Sequence, residues 1–97
     1  MCQNIAAQGS DQQLAEHYFS SGEFDKALVY YKRLSEKHQN KFYFDRYITC
    51  LDETGDIKEA EKLLKRAISK SPNSLDYSIQ LATFYQKHNN ENKASKK

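Results

Sequence analysis

Cysteine, histidine and carboxylate side chains are the groups of this sequence that could carry out chemistry. The cysteines, Cys2 and Cys50, lie far apart and belong to no C-x-x-C or Cys/His pattern, so they predict neither a disulfide framework nor a zinc site. The histidines, His17, His38 and His88, fall in different segments without the spacing of paired ligands. A dyad of Cys50 with a histidine is an open alternative that no spacing favours.

No motif of catalysis or phosphate binding occurs in the sequence. A glycine-rich phosphate loop, H-E-x-x-H and G-x-S-x-G are all absent. The carboxylates are spread along segments of helical periodicity, where pairs such as Glu59 with Lys62 are typical of solvated helix surfaces. We therefore expect no enzyme activity, no cofactor and no bound metal.

The composition is typical of a small helical domain. The chain has 97 residues with only 3 glycines and 1 proline, which favours helices over strands joined by turns. Its 15 Lys and Arg against 13 Asp and Glu leave a net charge of +2, which disfavours a dedicated nucleic-acid binder. Because no apolar stretch approaches the ~18 residues needed to cross a bilayer, we expect no membrane insertion.

Residues 1–9 form an N-terminal segment that we expect to be flexible. The run Ile5-Ala6-Ala7 is too short for the apolar core of a signal peptide, which needs roughly 7–15 residues. Followed by polar residues, it resembles the cleavage end of a signal peptide whose core is absent. The compartment therefore stays open between the cytoplasm and, if the segment is such a remnant, export to the periplasm.

Two segments 33 residues apart share one pattern of residue types. Residues 22–27 and residues 55–60 both read glycine, acid, apolar, charged, charged, alanine. Each glycine separates two stretches of helical periodicity, as expected for a residue that tolerates left-handed backbone at a helix C-terminus. Pro72 then stops the next helix. The pattern predicts five helices, at about residues 11–20, 24–38, 41–54, 57–70 and 75–88, followed by a polar, lysine-rich tail over residues 89–97.

This spacing resembles the tetratricopeptide repeat (TPR), a helix-turn-helix unit of about 34 residues. The matching positions are the small residues Ala15 and Ala82, the glycines Gly22 and Gly55, the alanines Ala27, Ala60 and Ala67, and Pro72. The resemblance implies an all-α domain over residues 10–88, with helix-turn-helix repeats stacked as a right-handed superhelix. Two full repeats would span about residues 8–40 and 41–74, and the helix at 75–88 would begin a third and act as a cap.

Departures from the family pattern are confined to single positions and to the end of the array. Asp11, Phe44 and Ser78 stand at the tryptophan position of the family, and Ile48 replaces a usual small residue. The third repeat lacks a convincing second helix. Stacked repeats generally need about three units, so the chain is interpreted as a fragment of a longer array or a domain that rests on a neighbour.

The resemblance also implies a concave, partner-binding face made by the first helix of each repeat. Its positions fall on Gln12, Glu16, Phe19, Phe42, Asp45, Arg46, Thr49, Asp76, Ile79, Gln80 and Thr83. Carboxylates outnumber the single arginine there, and Phe19, Phe42 and Ile79 could anchor a peptide by burial. We expect a protein-binding module whose partner segment is basic or of mixed charge, because an acidic chaperone tail would meet like charge.

Two other functions are weighed against this one. A structural role, as an assembly piece that self-associates or docks through an open end at Leu81, Phe84 and Tyr85, is the closest alternative. A nucleic-acid role needs a basic concave face, whereas the predicted face is acidic. The second helices carry many lysines and arginines on their outer side, which is typical of solvated helix surfaces.

Overall fold

The computed structural model describes the backbone of residues 3–95 and the side chains of residues 11–89. Within these residues the chain is all-helical and contains no strand, which confirms the predicted all-α class with five helices. The helices are α1 (Gln3–Ser20), α2 (Phe24–Lys37), α3 (Lys41–Glu53), α4 (Ile57–Lys70) and α5 (Leu75–Ser95). They divide into two compact units, residues 1–57 and residues 58–97. No helix of the described part is long and apolar enough to span a membrane.

Both terminal helices are longer than predicted. The first begins at Gln3, so residues 3–9 continue the helix where a flexible segment was expected, and the last runs to Ser95 instead of ending near residue 88. The prediction relied on apolar periodicity, which these ends lack. They contain no proline, however, and helix propensity is enough to extend a helix that is already nucleated. Cys2 and the last two residues of the predicted tail lie outside the described residues.

A glycine in left-handed conformation follows α1 and another follows α3. The φ angle is 79° at Gly22 and 87° at Gly55, as the helix-ending role of the glycines predicted. A side chain disfavours this conformation because its Cβ approaches the following carbonyl oxygen. Glycine therefore lets the chain reverse within the few residues between α1 and α2.

The same pair of backbone hydrogen bonds closes both turns. After α1, the N–H of Glu23 donates to the carbonyl oxygen of Tyr18 at 2.8 Å, and the N–H of Gly22 donates to that of Phe19 at 3.1 Å. These bonds form a Schellman motif, which satisfies carbonyl groups that a helix end leaves without partners. The bonds after α3 have the same lengths and run from Asp56 to Leu51 and from Gly55 to Asp52.

In the first unit, α1 and α2 are antiparallel and α2 also contacts α3. Close to the turn, the rings of Phe19 and Phe24 lie 5.3 Å apart, whereas far from it Arg33 pairs with Asp11 at 3.1 Å. The start of α3 is set by Asn40, whose side chain accepts a hydrogen bond from the N–H of Phe42 at 2.8 Å. This is a common N-cap, worth about 1 kcal/mol.

The core of the first unit combines small and large residues. Its buried members are Ala15, Ala27, Tyr31, Leu34, Tyr47, Ile48, Cys50 and Leu51. Ala15 and Ala27 are fully buried, and such small side chains let helices approach closely while the aromatic rings fill the space beside them. Burial raises the pKa of the Cys50 thiol to about 11, so Cys50 is a packed thiol with little thiolate at neutral pH.

The second unit buries one face of each of its helices. Ala60 and Leu64 are buried on α4, and Phe84 is buried on α5. Phe84 was expected to be partly uncovered at an open end, and this expectation is wrong, since only 7% of it is exposed. Helical periodicity explains the result: Phe84 lies on the same face as Leu81 and His88, whose ring contacts that of Phe84 at 4.5 Å.

Replacing the turn glycines tests the left-handed conformation. Because a Cβ at Gly22 or Gly55 would meet no atom within 4 Å, backbone strain is the only folded-state cost of Gly22→Ala. We expect this change to lower the free energy of unfolding by roughly 1–2 kcal/mol in urea titrations. Gly22→Asn should cost less, because asparagine tolerates this conformation. An alanine variant as stable as the wild type would contradict the assignment.

Candidate binding cleft

A cleft of about 660 Å³ lies in the first unit, within the range of ligand pockets. Helix α1 forms one wall and the start of α3 forms the other, while Tyr31 of α2 contributes between them. The lining residues are Gln12, Gln13, Glu16, His17, Ser20, Tyr31, Phe42 and Tyr43. Three of the predicted concave-face residues, Gln12, Glu16 and Phe42, are therefore brought together.

Glu16 provides the carboxylate of the cleft. Its Oε1 accepts a hydrogen bond from the hydroxyl of Tyr31 at 3.2 Å, and its Oε2 accepts one from the hydroxyl of Ser20 at 3.4 Å. The Nη2 of Arg46 lies 4.0 Å from Oε1. These contacts orient the carboxylate from three helices, yet about half of the side chain stays exposed. Both hydrogen bonds are long for a charged acceptor, and Arg46 lies beyond hydrogen-bond distance, which leaves the carboxylate able to accept a closer donor.

Tyr31 connects this carboxylate to the core. Its ring is buried, and its hydroxyl reaches the cleft to donate to Glu16. Burial is the main cause that raises the pKa of Tyr31 to about 12, and the negative charge of Glu16 adds to it. Both effects disfavour the tyrosinate, so the hydroxyl remains a donor throughout the physiological pH range.

Arg46 joins the two walls of the cleft. Its guanidinium carbon lies 3.9 Å from the ring centroid of Phe19 on α1 and 4.9 Å from that of Phe42 on α3. A guanidinium stacked on an aromatic face is attracted by the ring quadrupole, most strongly when it is partly desolvated, as this half-buried side chain is. The arginine thus holds Phe19 and Phe42 in position, while 48% of Phe42 stays exposed toward solvent.

Asp45 and Thr49 make contacts within α3. The carboxylate of Asp45 pairs with Lys41 at 2.9 Å, and the hydroxyl of Thr49 donates to the carbonyl oxygen of Asp45 at 3.0 Å. Neither residue lines the cleft. In the first unit, two carboxylates of the predicted concave face each lie next to a cation: Glu16 next to Arg46, and Asp45 next to Lys41. This part of the face is therefore of mixed charge.

The remaining predicted residues lie on α5. Asp76, Ile79 and Thr83 are exposed and Gln80 is half-buried. They belong to the second unit, and the lining of the cleft includes none of them.

Sequence reasoning missed five lining residues. Gln13, His17 and Ser20 follow one another along α1 at spacings of four and three residues, so they form a second stripe beside Gln12 and Glu16. A helical wheel of α1 would have shown this neighbouring stripe. Tyr31 and Tyr43 carry no such signal, since an aromatic residue at helical spacing is usually a core residue.

Comparison of the chain with family models, with curated proteins and with solved structures finds no match. The chemistry of the cleft therefore follows from its geometry. Within the described residues, no three His, Cys, Asp or Glu side chains are grouped so that they could hold a metal ion. What the cleft offers is one accessible carboxylate, several amide and hydroxyl groups, and exposed aromatic surface.

The raised pKa of Tyr31 predicts a pH dependence of stability. The unfolded-state pKa of tyrosine is about 10, whereas the folded-state value is about 12. Stability from this difference is therefore fully present below pH ~10 and is lost as the pH rises to ~12. Between pH ~10 and pH ~12, the free energy of unfolding measured in urea should therefore fall less for Tyr31→Phe than for the wild type.

An absorbance titration of tyrosinate gives an independent check. The wild type should show a late-titrating tyrosine that is missing in Tyr31→Phe. Glu16→Gln should lower the pKa of Tyr31, but this pKa should stay above the ordinary value of tyrosine because the hydroxyl is still buried. Identical titration curves for the wild type and Tyr31→Phe would show that Tyr31 is not the shifted group.

Proposed function

We propose that this chain is a helical-repeat protein of the tetratricopeptide type that binds a peptide segment or helix of another protein in the cleft of its first unit. In this proposal its helix pairs stack as a right-handed superhelix. The accessible carboxylate of Glu16 next to the exposed ring of Phe42 is the observation that supports binding most directly.

Structural equivalence between residues 33 positions apart supports the repeat. The turns at Gly22 and Gly55 share the sign of φ and the lengths of both closing hydrogen bonds. Burial repeats with the same period on the flanking helices. The buried pairs are Ala15 with Ile48, Ala27 with Ala60, and Tyr31 with Leu64.

The cleft favours a ligand segment that presents a basic side chain beside an apolar one. An arginine or lysine of the ligand could donate to Glu16 at a shorter distance than Ser20 or Arg46 does. An apolar side chain could cover the exposed part of Phe42, and the amides of Gln12 and Gln13 could pair with the ligand backbone. Ordered peptide binding of this kind commonly combines a few anchors with many weaker polar contacts.

The same residues favour binding over catalysis. Ser20 and His17 both line the cleft, so a serine nucleophile with a histidine base has to be considered. The hydroxyl of Ser20 donates to Glu16, however, which leaves it without the histidine acceptor that would activate it. We propose no enzymatic role for this site.

A peptide array, followed by affinity measurement of the peptides that bind, tests the proposal. We expect basic or mixed peptides to bind and peptides with acidic C-terminal tails to fail. Phe42→Ala should weaken binding by about 30-fold if it anchors the ligand, and Glu16→Gln by about tenfold, because the acceptor of the hydrogen bond loses its charge.

Matched variants on α2 serve as controls. Val29→Ala shortens another exposed apolar side chain, and Glu36→Gln removes another exposed carboxylate, both outside the cleft. These variants should bind like the wild type. The proposal is wrong if no peptide binds, if the controls weaken binding as much as the cleft variants, or if an acidic tail binds and depends on Gln12.

An exposed apolar face on α5 favours assembly as a second candidate function. Leu75 and Ile79 are 71% and 61% exposed, and Ala82 on the same face is exposed as well. Ala15, the equivalent of Ala82 in α1, is fully buried in the first unit. Exposed apolar residues grouped on one helix face are suited to pairing with a second copy of the chain.

Light scattering over a range of protein concentrations tests self-association. Under this candidate function, the wild type should gain mass with concentration, and Leu75→Gln/Ile79→Gln should remain monomeric because two apolar anchors are removed. Val29→Gln, which changes an exposed apolar residue on α2, should behave like the wild type. A wild type that stays monomeric at all concentrations would rule out this role.

A further inference from the structure

The charges of the chain are divided unequally between its two units. Residues 1–57 contain six Lys and Arg against nine Asp and Glu, whereas residues 58–97 contain nine against four. The net charge of +2 therefore combines −3 in the first unit with +5 in the second. Such asymmetry between parts of a chain indicates an electrostatic partner for the charged part.

Five cations of the second unit share the exposed face of α4. Lys58, Lys62, Lys65, Arg66 and Lys70 are all exposed and are separated by four, three, one and four residues, so they form a basic face about 18 Å long. The opposite face of α4 buries Ala60 and Leu64. Because the burial of Ala60 and Leu64 fixes the orientation of α4, the basic face is exposed to solvent.

Most of these cations form no ion pair within the part of the chain whose side chains are described. Lys65 pairs with Glu61 at 3.4 Å, but among the described residues no ion pair is formed by Lys58, Lys62, Arg66 or Lys70. Helix α2 carries four cations, of which Lys26 and Arg33 pair with Glu23 and Asp11, so a smaller share of its cations is without an ion pair in the same part of the chain. The basic face of α4 is therefore a surface of net positive charge, on which four of the five cations form no ion pair among the described residues.

The composition of the face distinguishes between anionic partners. Four of its five cations are lysines, which are depleted in protein interfaces, and the face presents no exposed aromatic or apolar anchor for a protein partner. It also lacks the Asn and Gln side chains that read bases. Two carboxylates accompany the cations: Glu61 lies at the edge of the face and pairs with Lys65, and Glu59 lies between Arg66 and Lys70 around the helix.

A flat anionic surface fits these features best. The five cations lie on one side of a single helix, so a plane can bring them within roughly one Debye length, about 8 Å at physiological salt. Lysine, as a hydrated point charge, needs no directional partner to be attracted to such a surface. We propose that the basic face of α4 binds the anionic headgroups of a phospholipid bilayer by electrostatic attraction, without insertion of the helix.

Vesicle co-sedimentation tests this proposal. The wild-type protein should bind vesicles of phosphatidylcholine mixed with phosphatidylserine, should release at high salt, and should not bind vesicles of phosphatidylcholine alone. Each cation near an anionic membrane contributes about fivefold to the binding constant. Lys62→Gln/Arg66→Gln should therefore bind at least about tenfold more weakly.

The chain offers a control with the same change in net charge. Lys32→Gln/Lys37→Gln removes two exposed cations from α2 and should bind like the wild type, with circular dichroism confirming that both double variants are helical. Equal loss in the two double variants would overturn the proposal in favour of attraction by net charge. Tighter binding to duplex DNA than to the vesicles, competition by free inorganic phosphate, or equal binding to neutral vesicles would also overturn it.

Discussion

The reversal of the chain between α1 and α2 is the constraint on which the rest of the first unit depends. Only a few residues separate α1 from α2 and α3 from α4, and within them the last carbonyl groups of each helix must find donors. Glycine in left-handed conformation meets both demands through the Schellman bonds. In the first unit, the reversal returns α2 along α1, where fully buried alanines permit the close approach.

The cleft is a consequence of that packing. The ring of Tyr31 lies in the core, while its hydroxyl orients the carboxylate of Glu16 at the surface. One side chain therefore links the stability of the first unit to the position of the Glu16 carboxylate. Arg46, stacked between Phe19 and Phe42, links the α1 wall to the α3 wall. The groups available to a ligand are thus supported by groups that hold the helices together, an arrangement that keeps a binding site preorganised.

Charge is distributed so that the two proposed surfaces differ in kind. Around the cleft, Glu16 and Asp45 each lie next to a cation, which gives a surface of mixed charge where hydrogen bonding and burial can select a ligand. On α4, four of the five cations form no ion pair among the described residues and the face has no apolar anchor, which suits long-range attraction more than selective recognition. The net charge of +2 shows neither feature, because it adds the charges of the first unit to those of the second.

The sequence by itself determined the helical class, the number of helices and the places where the chain turns, because periodicity and glycine act locally along the chain. The resemblance of its repeat pattern also pointed to Gln12, Glu16 and Phe42, three residues that line the cleft. The full extent of α1 and α5 did not follow from apolar periodicity, since propensity alone continues a helix. Only the tertiary structure decided that Tyr31 and Tyr43 belong to the cleft, that Asp45 pairs with Lys41, and that Phe84 is buried. These outcomes depend on which side chains of other turns and helices come within a few ångströms, and spacing along one helix does not specify that.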